Sequence, residues 1–226
     1  MARSTIHYSL PHVPILLLVS DQSRLGERSL EDVFFPALSG GVNMVLLRES
    51  ALAAGEVMAA AERLRKLCVG GVPLLVHDRL DVALAARADG AHLDVNGLPV
   101  RAARKLAPKL LVGRTVSSVA EAVAAERAGA TYLLVEPVFS TYYAHGHTPF
   151  GPTLIRGIAN RVHIPVLAGG GITAGNAHQV ISAGAAGVSV ISEIVASNNP
   201  EQAARDLLTA MRSAWESRPL KRESLV

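Results

Sequence analysis

The sequence IPVLAGGGI at residues 164–172, followed by GVSVISEI at residues 187–194, decides the fold. Each stretch is a short apolar run that ends in Gly or Ser where a helix is expected to begin, so backbone N–H groups are free there to bind an anion. Two such ends in succession are typical of the phosphate site made by the loops after the seventh and eighth strands of a (β/α)8 barrel. The two stretches therefore predict a barrel that binds a phosphorylated small molecule.

Short apolar runs alternate with amphipathic helical segments along the rest of the chain. Strict alternation predicts a parallel sheet, and eight units without a break favour a closed barrel over an open sheet. No Gly-x-Gly-x-x-Gly follows the first run, which disfavours a dinucleotide-binding fold. The predicted strands are residues 15–19, 42–47, 72–76, 90–93, 110–112, 132–135, 166–168 and 187–190. The clearest predicted helices are residues 55–67, 119–128, 174–182 and 201–215.

The composition fits one domain over residues 1–226, with a short N-terminal extension, a core at 14–213 and a basic C-terminal tail. Hydrophobic residues make up 50% of the chain, yet no apolar run approaches the roughly 20 residues that span a bilayer. The formal net charge is only +3 and 4% of residues are aromatic, so we expect neither nucleic acid nor a membrane as a partner. The lack of a secretory-type N-terminal stretch and the single Cys68 predict a cytoplasmic protein, and a homo-oligomer is left open.

Polar side chains follow most of the predicted strands, where the function of a (β/α)8 barrel collects. They include Ser20, Asp21, Arg48, Glu49, His77, Asp78, Asp94, Asn96, Arg114, Thr115, Ser117, Glu136, Ser140 and Thr141. Asp21, Ser117 and Ser118 are equally well interpreted as helix N-caps, because Ser and Asp are preferred there. Arg48 and Asp78 favour a pocket, because charged side chains that leave a buried strand need a partner. The set predicts a pocket for an anionic ligand that forms hydrogen bonds.

The order of motifs resembles a known family over residues 14–213. The motifs are Leu47-Arg48, His77-Asp78-Arg79-Leu80-Asp81, Ala88-Asp89-Gly90-Ala91-His92-Leu93, Gly113-Arg114-Thr115, Glu136-Pro137-Val138-Phe139, Ala168-Gly169-Gly170-Gly171-Ile172 and Val190-Ile191-Ser192. Together they look like the thiamine phosphate synthase/TenI superfamily. That resemblance implies a (β/α)8 barrel that binds a thiazole phosphate. It places Thr115, Thr141, Gly171, Ile191 and Ser192 at the substrate, and we add Arg48, Asp78, Ser117 and Gly170 as substrate-binding candidates.

The superfamily has two main activities, and the loops of this chain decide between them. Synthases join an aminopyrimidine pyrophosphate to the thiazole phosphate using Mg²⁺, whereas TenI-type tautomerases aromatise a thiazole tautomer without metal. The synthase Gln-x-Arg-x-Lys pattern keeps only Arg48 here, and Asn-Asp becomes His77-Asp78. The second metal carboxylate of synthases falls on Gly97, and their phosphate-binding lysine is missing from residues 141–144.

A Mg²⁺–pyrophosphate site needs carboxylates for the metal and cations for the leaving group. The resemblance therefore favours the TenI branch, and we expect a thiazole tautomerase without a cofactor. The alternative is a synthase that binds Mg²⁺ through Asp78, with Asp94 as a displaced ligand. A third possibility is a non-catalytic protein that retains the phosphate site as a ligand-binding or regulatory module.

Tautomerisation requires a group that takes and returns a proton. The histidine of characterised tautomerases falls on Ser117 here, so we consider His77, His145, His147 and Glu136 as catalytic residues instead. His145 and His147 flank Gly146 in a loop that could close over the pocket, and equally could be an exposed loop. Their spacing also suits a metal pair, but no third ligand is clustered with them. We expect His92, beside small residues at a strand end, to be structural.

Overall fold

The computed structural model describes residues 9–141 and 148–218 of the 226-residue chain. Eight parallel strands form a closed barrel in chain order, with the last strand paired to the first. The strands are β1 (Ile15–Val19), β2 (Met44–Leu47), β3 (Leu74–His77), β4 (Gly90–Leu93), β5 (Leu111–Thr115), β6 (Tyr132–Val135), β7 (Val166–Gly169) and β8 (Gly187–Val190). The predicted (β/α)8 barrel is confirmed.

Helices alternate with these strands on the outside of the barrel. They are α1 (Leu30–Ser39), α2 (Ala54–Leu67), α3 (Leu80–Ala85), α4 (Val100–Leu106), α5 (Val119–Arg127), α6 (Gly151–Ala159), α7 (Ala177–Ser182), α8 (Ser192–Val195) and α9 (Pro200–Glu216). Local signals set several of the boundaries. Ser29 and Asp32 form a capping box at the start of α1, and Asn199 caps α9 ahead of Pro200 at its first position. No helix in the described ranges is both long and apolar enough to cross a bilayer.

The strands are continuous apolar runs because both of their faces are buried. One face packs against the helices in a large outer core, and the other fills the barrel interior. The interior contains Ile15, Leu17, Val19, Met44, Leu46, Leu75, Leu111, Tyr132, Leu134 and Leu167. This filling closes the barrel below the strand ends, so a ligand can enter only at the rim.

The fifth strand differs most from its predicted bounds. The fifth strand was expected to end at Val112, but β5 continues through Gly113 and Arg114 to Thr115. The additional residues pair with Tyr132, Leu133 and Leu134 of β6. Gly and Arg resemble the start of a loop, yet pairing with both neighbouring strands keeps the backbone extended. The extension raises Thr115 to the carboxyl end of the barrel.

Candidate active site

A cavity of about 1270 Å³ lies at the carboxyl ends of the strands and collects most of the predicted site residues. Its lining includes Arg48, Thr115, Ser117, Glu136, Thr141, Gly170, Gly171, Ile191 and Ser192. His77 and Asp78 do not line it directly but contact Asp94, which does. His145 and His147 lie outside the described residues. The structure therefore brings together the predicted substrate-binding residues except Asp78, which lies beside the cavity, while their roles stay predictions.

The loop after β7 has a left-handed backbone at Gly170 and Gly171, with φ of +80° and +69°. The Asn176 side chain holds this loop, because its Nδ2 donates to the carbonyl of Gly171 at 2.8 Å. Within the described part of the chain, the backbone N–H groups of Gly171 and Ser192 donate to no other protein group. Two unpaired donors on one cavity wall suit phosphate oxygens.

Arg24 is a cavity residue that the sequence analysis missed. Its Nη1 donates to Ser192 Oγ at 2.8 Å, and its Nε lies 2.6 Å from Asp21 Oδ2. Asp21 also caps the short 3-10 helix that contains Arg24, by accepting from the backbone of Ser23. Asp21 is thus an N-cap that also orients a cation toward the predicted phosphate site. The only sequence signal was an arginine three residues after an aspartate at a strand end.

Arg48 and Glu136 form an ion pair at the cavity wall, with 3.8 Å between Nη1 of the arginine and Oε1 of the glutamate. Ser20 fixes the Arg48 backbone, because its Oγ accepts from the Arg48 N–H at 2.9 Å. Burial raises the pKa of Glu136, and the charge of Arg48 opposes that rise. Arg48 is consequently a half-buried cation whose one carboxylate contact among the described residues is long, so it is available to an anionic ligand.

His77, Asp78 and Asp94 form a cluster beside the cavity, with one possible ligand atom from each lying within 4.8 Å of the others. His77 Nε2 lies 3.8 Å from Asp94 Oδ2, and the backbone N–H of Asp94 donates to Asp78 Oδ1 at 2.9 Å. Burial lowers the pKa of His77, with Asp78 and Asp94 opposing the effect. The imidazole is therefore neutral near pH 7, with a lone pair that can bind a metal or accept a proton.

Residue 97, where the synthase pattern has its second metal carboxylate, has no room for a side chain. A Cβ on Gly97 would overlap Asp78 Oδ1. The carboxylate beside Asp78 is instead supplied by Asp94, three positions earlier in the same loop. The synthase alternative in the sequence analysis required Asp94 as a displaced ligand, and the structure places Asp94 beside Asp78.

Arg114, on the outer face of β5, fastens the loop that carries Asp94. Its Nη1 donates to the carbonyl of Asp94 at 2.7 Å and its Nη2 donates to that of Val95 at 3.1 Å. The residue appeared in the sequence as one of several strand-end cations. Its contacts make it a positioning residue for the Asp94 carboxylate.

Replacing Arg114 with methionine should loosen residues 94–98 while leaving the barrel intact. We expect amide hydrogen exchange in that loop to accelerate at least about tenfold, because three hydrogen bonds from a charged donor are lost, to Asp94, Val95 and Leu98. Hydrogen bonds to charged groups contribute roughly 1.5–3 kcal/mol each. Arg101→Met, on the exposed start of α4, is the matched control. Equal exchange rates in the Arg114 variant and the wild type would contradict this positioning role.

His92 is 1% exposed and accepts or donates hydrogen bonds at both ring nitrogens inside the barrel. Burial, with the nearby charges of His77, Arg48 and Arg114, lowers its pKa to about 3. The folded protein therefore binds fewer protons at this site than the unfolded chain, whose histidine has its ordinary pKa near 6.5. The stability due to neutral His92 is complete above pH 6.5 and is lost as the pH falls toward 3.

The free energy of unfolding should consequently decrease from pH 6.5 to pH 4.5, by up to about 1.4 kcal/mol per pH unit from this one group. The His92→Gln variant should be less stable at pH 7 but show a correspondingly shallower slope. Urea denaturation at several pH values measures both. The same slope in wild type and variant would mean that His92 titrates normally in the folded state.

The comparisons with known proteins agree with one another. The family described as "Thiamine monophosphate synthase" matches residues 16–194. The chain belongs to this family. A thiamine-phosphate synthase of Chlorobium luteolum is 42% identical over 206 residues, which cover 90% of this chain and 95% of that protein. One from Methanospirillum hungatei is 44% identical over 178 residues, covering 77% and 86%. A solved structure of thiamine phosphate pyrophosphorylase from Pyrococcus furiosus superposes with a TM-score of 0.82 at 31% identity, covering 88% and 96%.

Membership of this synthase family corrects the expected activity. The tautomerase prediction is wrong, because curated relatives over nearly the whole chain are named thiamine-phosphate synthases. The placement in the TenI branch rested on the loop departures and is not supported by these relatives either. The physical reason for the error is visible at Asp94: the loop departures were interpreted as lost charges, although one carboxylate is present at another position of the loop.

Proposed function

We propose that this protein is a thiamine-phosphate synthase. It would form a C–N bond between the methylene carbon of an aminopyrimidine methyl pyrophosphate and the ring nitrogen of a thiazole phosphate, while the C–O bond to pyrophosphate breaks. The observation that carries the proposal is the His77–Asp78–Asp94 cluster beside the cavity that contains Arg48. A leaving pyrophosphate requires a metal ligand set and a cation close together, and this rim offers both.

The cavity offers separate places for two anionic groups. One wall has the N–H donors of Gly171 and Ser192, with Arg24 on the hydroxyl of Ser192. Another has Arg48 and Thr115, with Asp94 at its edge. We assign the first wall to the thiazole phosphate and the second to the pyrophosphate. Such a division lets both substrates bind in one cavity with their negative charges held apart.

The synthases of the superfamily use Mg²⁺, so the donor set of this chain has to suit a divalent cation. Two carboxylates and a neutral imidazole with ligand atoms within 4.8 Å of one another fit that requirement. Carboxylates suit Mg²⁺ and Mn²⁺, while the imidazole of His77 is a ligand that Mn²⁺ accepts more readily than Mg²⁺ does. When bound, such a cation would neutralise charge on the leaving pyrophosphate. Asp78, Asp94 and His77 are the residues that would hold it.

The remaining residues act on charge and orientation. Arg48 would donate hydrogen bonds to pyrophosphate oxygens and balance the charge that develops as the C–O bond lengthens. Glu136 contacts the Arg48 guanidinium at 3.8 Å. Because burial raises its pKa, Glu136 takes up a proton more readily than an ordinary glutamate and would then leave Arg48 to a stronger anion. We therefore place Glu136 with the positioning residues rather than with the groups that react.

The experiment is a pyrophosphate-release assay with the purified protein. We expect release only when the aminopyrimidine pyrophosphate, the thiazole phosphate and Mg²⁺ or Mn²⁺ are all present. Omitting the thiazole phosphate controls for hydrolysis of the pyrophosphate ester. If thiazole phosphate binds in calorimetry but no pyrophosphate is released with either metal, the synthase proposal is wrong and a non-catalytic binding protein is favoured.

Asp94→Asn should weaken Mn²⁺ binding at least about tenfold, since one of two carboxylate ligands is lost. Asp78→Asn should do the same, and its backbone φ of +49° is compatible with asparagine. Electron paramagnetic resonance of free Mn²⁺ during titration measures the affinity without any substrate. Asp206→Asn, an exposed carboxylate on α9, is the matched control. Wild-type affinity in the Asp94 variant would exclude Asp94 as a ligand.

A further inference from the structure

Three polar side chains form a continuous hydrogen-bonded chain beneath the cavity. Tyr132 OH lies 2.8 Å from His92 Nδ1, and His92 Nε2 lies 2.9 Å from Thr115 Oγ1. Tyr132 and His92 are 0% and 1% exposed, so neither can contact a ligand. Thr115 is 7% exposed and lines the cavity. This series of hydrogen bonds thus begins in the barrel interior and ends at the cavity.

The strand register creates this arrangement. His92 of β4 is paired with Gly113 of β5, and Gly113 is paired with Tyr132 of β6. A Cβ on Gly113 would overlap both the Tyr132 hydroxyl and His92 Nδ1. The missing side chain at position 113 is the space through which Tyr132 reaches across one strand to His92. Three neighbouring strands therefore specify the contact.

Counting hydrogens fixes the direction of each hydrogen bond. Among the described residues, the Tyr132 hydroxyl has no polar partner other than His92 Nδ1, so its hydrogen has to go there if it is not to be buried unpaired. Nδ1 is then an acceptor. Both ring partners are hydroxyls and no described carboxylate contacts the ring, so the imidazole is neutral and carries its hydrogen on Nε2. That Nε2–H donates to Thr115 Oγ1.

Thr115 is left with one hydroxyl hydrogen and no other described side-chain partner for it. Because its oxygen accepts from His92, rotation about the C–O bond directs the hydrogen away from the ring. We propose that His92 and Tyr132 are positioning residues that hold the Thr115 hydroxyl as a hydrogen-bond donor toward a phosphate oxygen of the substrate. The identity of that substrate rests on the proposed function, but the proton arrangement in the free protein does not depend on it.

The tautomer of His92 can be measured directly. In protein with ¹⁵N-labelled histidine, long-range ¹H–¹⁵N correlation spectra should show a protonated Nε2 and an unprotonated Nδ1 for His92 near pH 7. The Tyr132→Phe variant removes only the hydroxyl that imposes this tautomer, so the preference should weaken or be lost. A protonated Nδ1 in the wild type, or a tautomer unchanged in Tyr132→Phe, would overturn the inference.

A double-mutant cycle tests whether Tyr132 acts through Thr115. Calorimetry with inorganic pyrophosphate and, separately, with thiazole phosphate tests the assignment of Thr115 to the pyrophosphate wall. We expect Thr115→Val to weaken pyrophosphate binding about tenfold and Tyr132→Phe to weaken it about threefold. In the Thr115→Val background, Tyr132→Phe should have no further effect. In the Thr173→Val background, which changes another cavity threonine, it should retain its full effect.

Each outcome of the cycle has a meaning of its own. Additive effects of Tyr132→Phe and Thr115→Val, or unchanged affinity for both anions in Thr115→Val, would overturn the positioning role. If the cycle shows coupling but the protein releases no pyrophosphate with both substrates, the proposed synthase activity fails while the positioning role stands. The binding readout therefore separates the two claims.

Discussion

Replacing Arg48 with methionine should lower kcat for pyrophosphate release by about 100- to 1000-fold, the range expected when a charge-stabilising donor is removed from a transition state. The variant keeps much of the apolar stem and loses only the guanidinium that faces Glu136 at 3.8 Å. Because the charge of Arg48 opposes the upward pKa shift of Glu136, the pKa of Glu136 rises further in the variant. Steady-state kinetics with both substrates and Mn²⁺ provide the measurement.

Arg63→Met is the matched control for this experiment. Arg63 lies on the outer helix α2, where its side chain is 48% exposed and its Nε is 3.6 Å from Glu31. We expect its removal to leave kcat and KM unchanged, since exposed ion pairs contribute at most about 1 kcal/mol to stability. An Arg48 variant that is folded and retains wild-type kcat would show that the pyrophosphate is bound elsewhere.

The second large effect is expected for Gly171→Asp, which should abolish calorimetric binding of thiazole phosphate, a loss of at least about 100-fold. A carboxylate would lie beside the N–H donors of the predicted phosphate site, and like charges placed together cost several kcal/mol. Its Cβ would also lie 2.8 Å from the Ser140 carbonyl and 3.0 Å from Phe139 Cβ. The substitution would therefore displace the loop, and its carboxylate would also repel the phosphate of the ligand.

Gly70→Asp is the control for the backbone cost that any side chain causes at a left-handed position. Gly70 has a φ of +67°, close to the +69° of Gly171, but a Cβ there would meet nothing within 4 Å. Both variants pay the cost of a left-handed backbone, roughly 1–2 kcal/mol, and only Gly171→Asp should lose thiazole phosphate binding. Unchanged affinity in a folded Gly171→Asp variant would mean that the phosphate site has been assigned to the wrong loop.

Much of the architecture was predictable because the barrel is encoded locally. Buried parallel strands are mostly apolar, and some of the helices begin at a capping side chain such as Ser29, Ser118 or Asn199. β1, β4, β6 and β8 were predicted with their observed bounds. The end of β5 was missed because Gly113 and Arg114 resemble a loop when considered without their neighbours. Their extended conformation depends on pairing with β4 and β6, which is not local information.

The cavity residues were also largely predictable, since polar side chains after parallel strands meet at one end of a barrel. Their pairings were not. Nothing in the sequence indicates that Arg24 reaches Ser192 across 168 positions, or that a side chain at position 97 would overlap Asp78. The wrong activity was predicted because the loop departures, including the carboxylate missing at Gly97, were given more weight than Asp94 as a displaced ligand. His145 and His147, predicted as catalytic from the sequence, lie outside the described residues and remain predictions.

The most direct test of the account is the formation of thiamine phosphate itself. Purified wild-type protein is mixed with both substrates and Mn²⁺, and the product is quantified by mass spectrometry beside the Asp94→Asn and Asp206→Asn variants. The account predicts product from the wild type and Asp206→Asn, none in the presence of a chelator, and a strong reduction in Asp94→Asn. Product formation that is insensitive to the chelator and to Asp94→Asn, or no product from wild-type protein that binds thiazole phosphate, would contradict it.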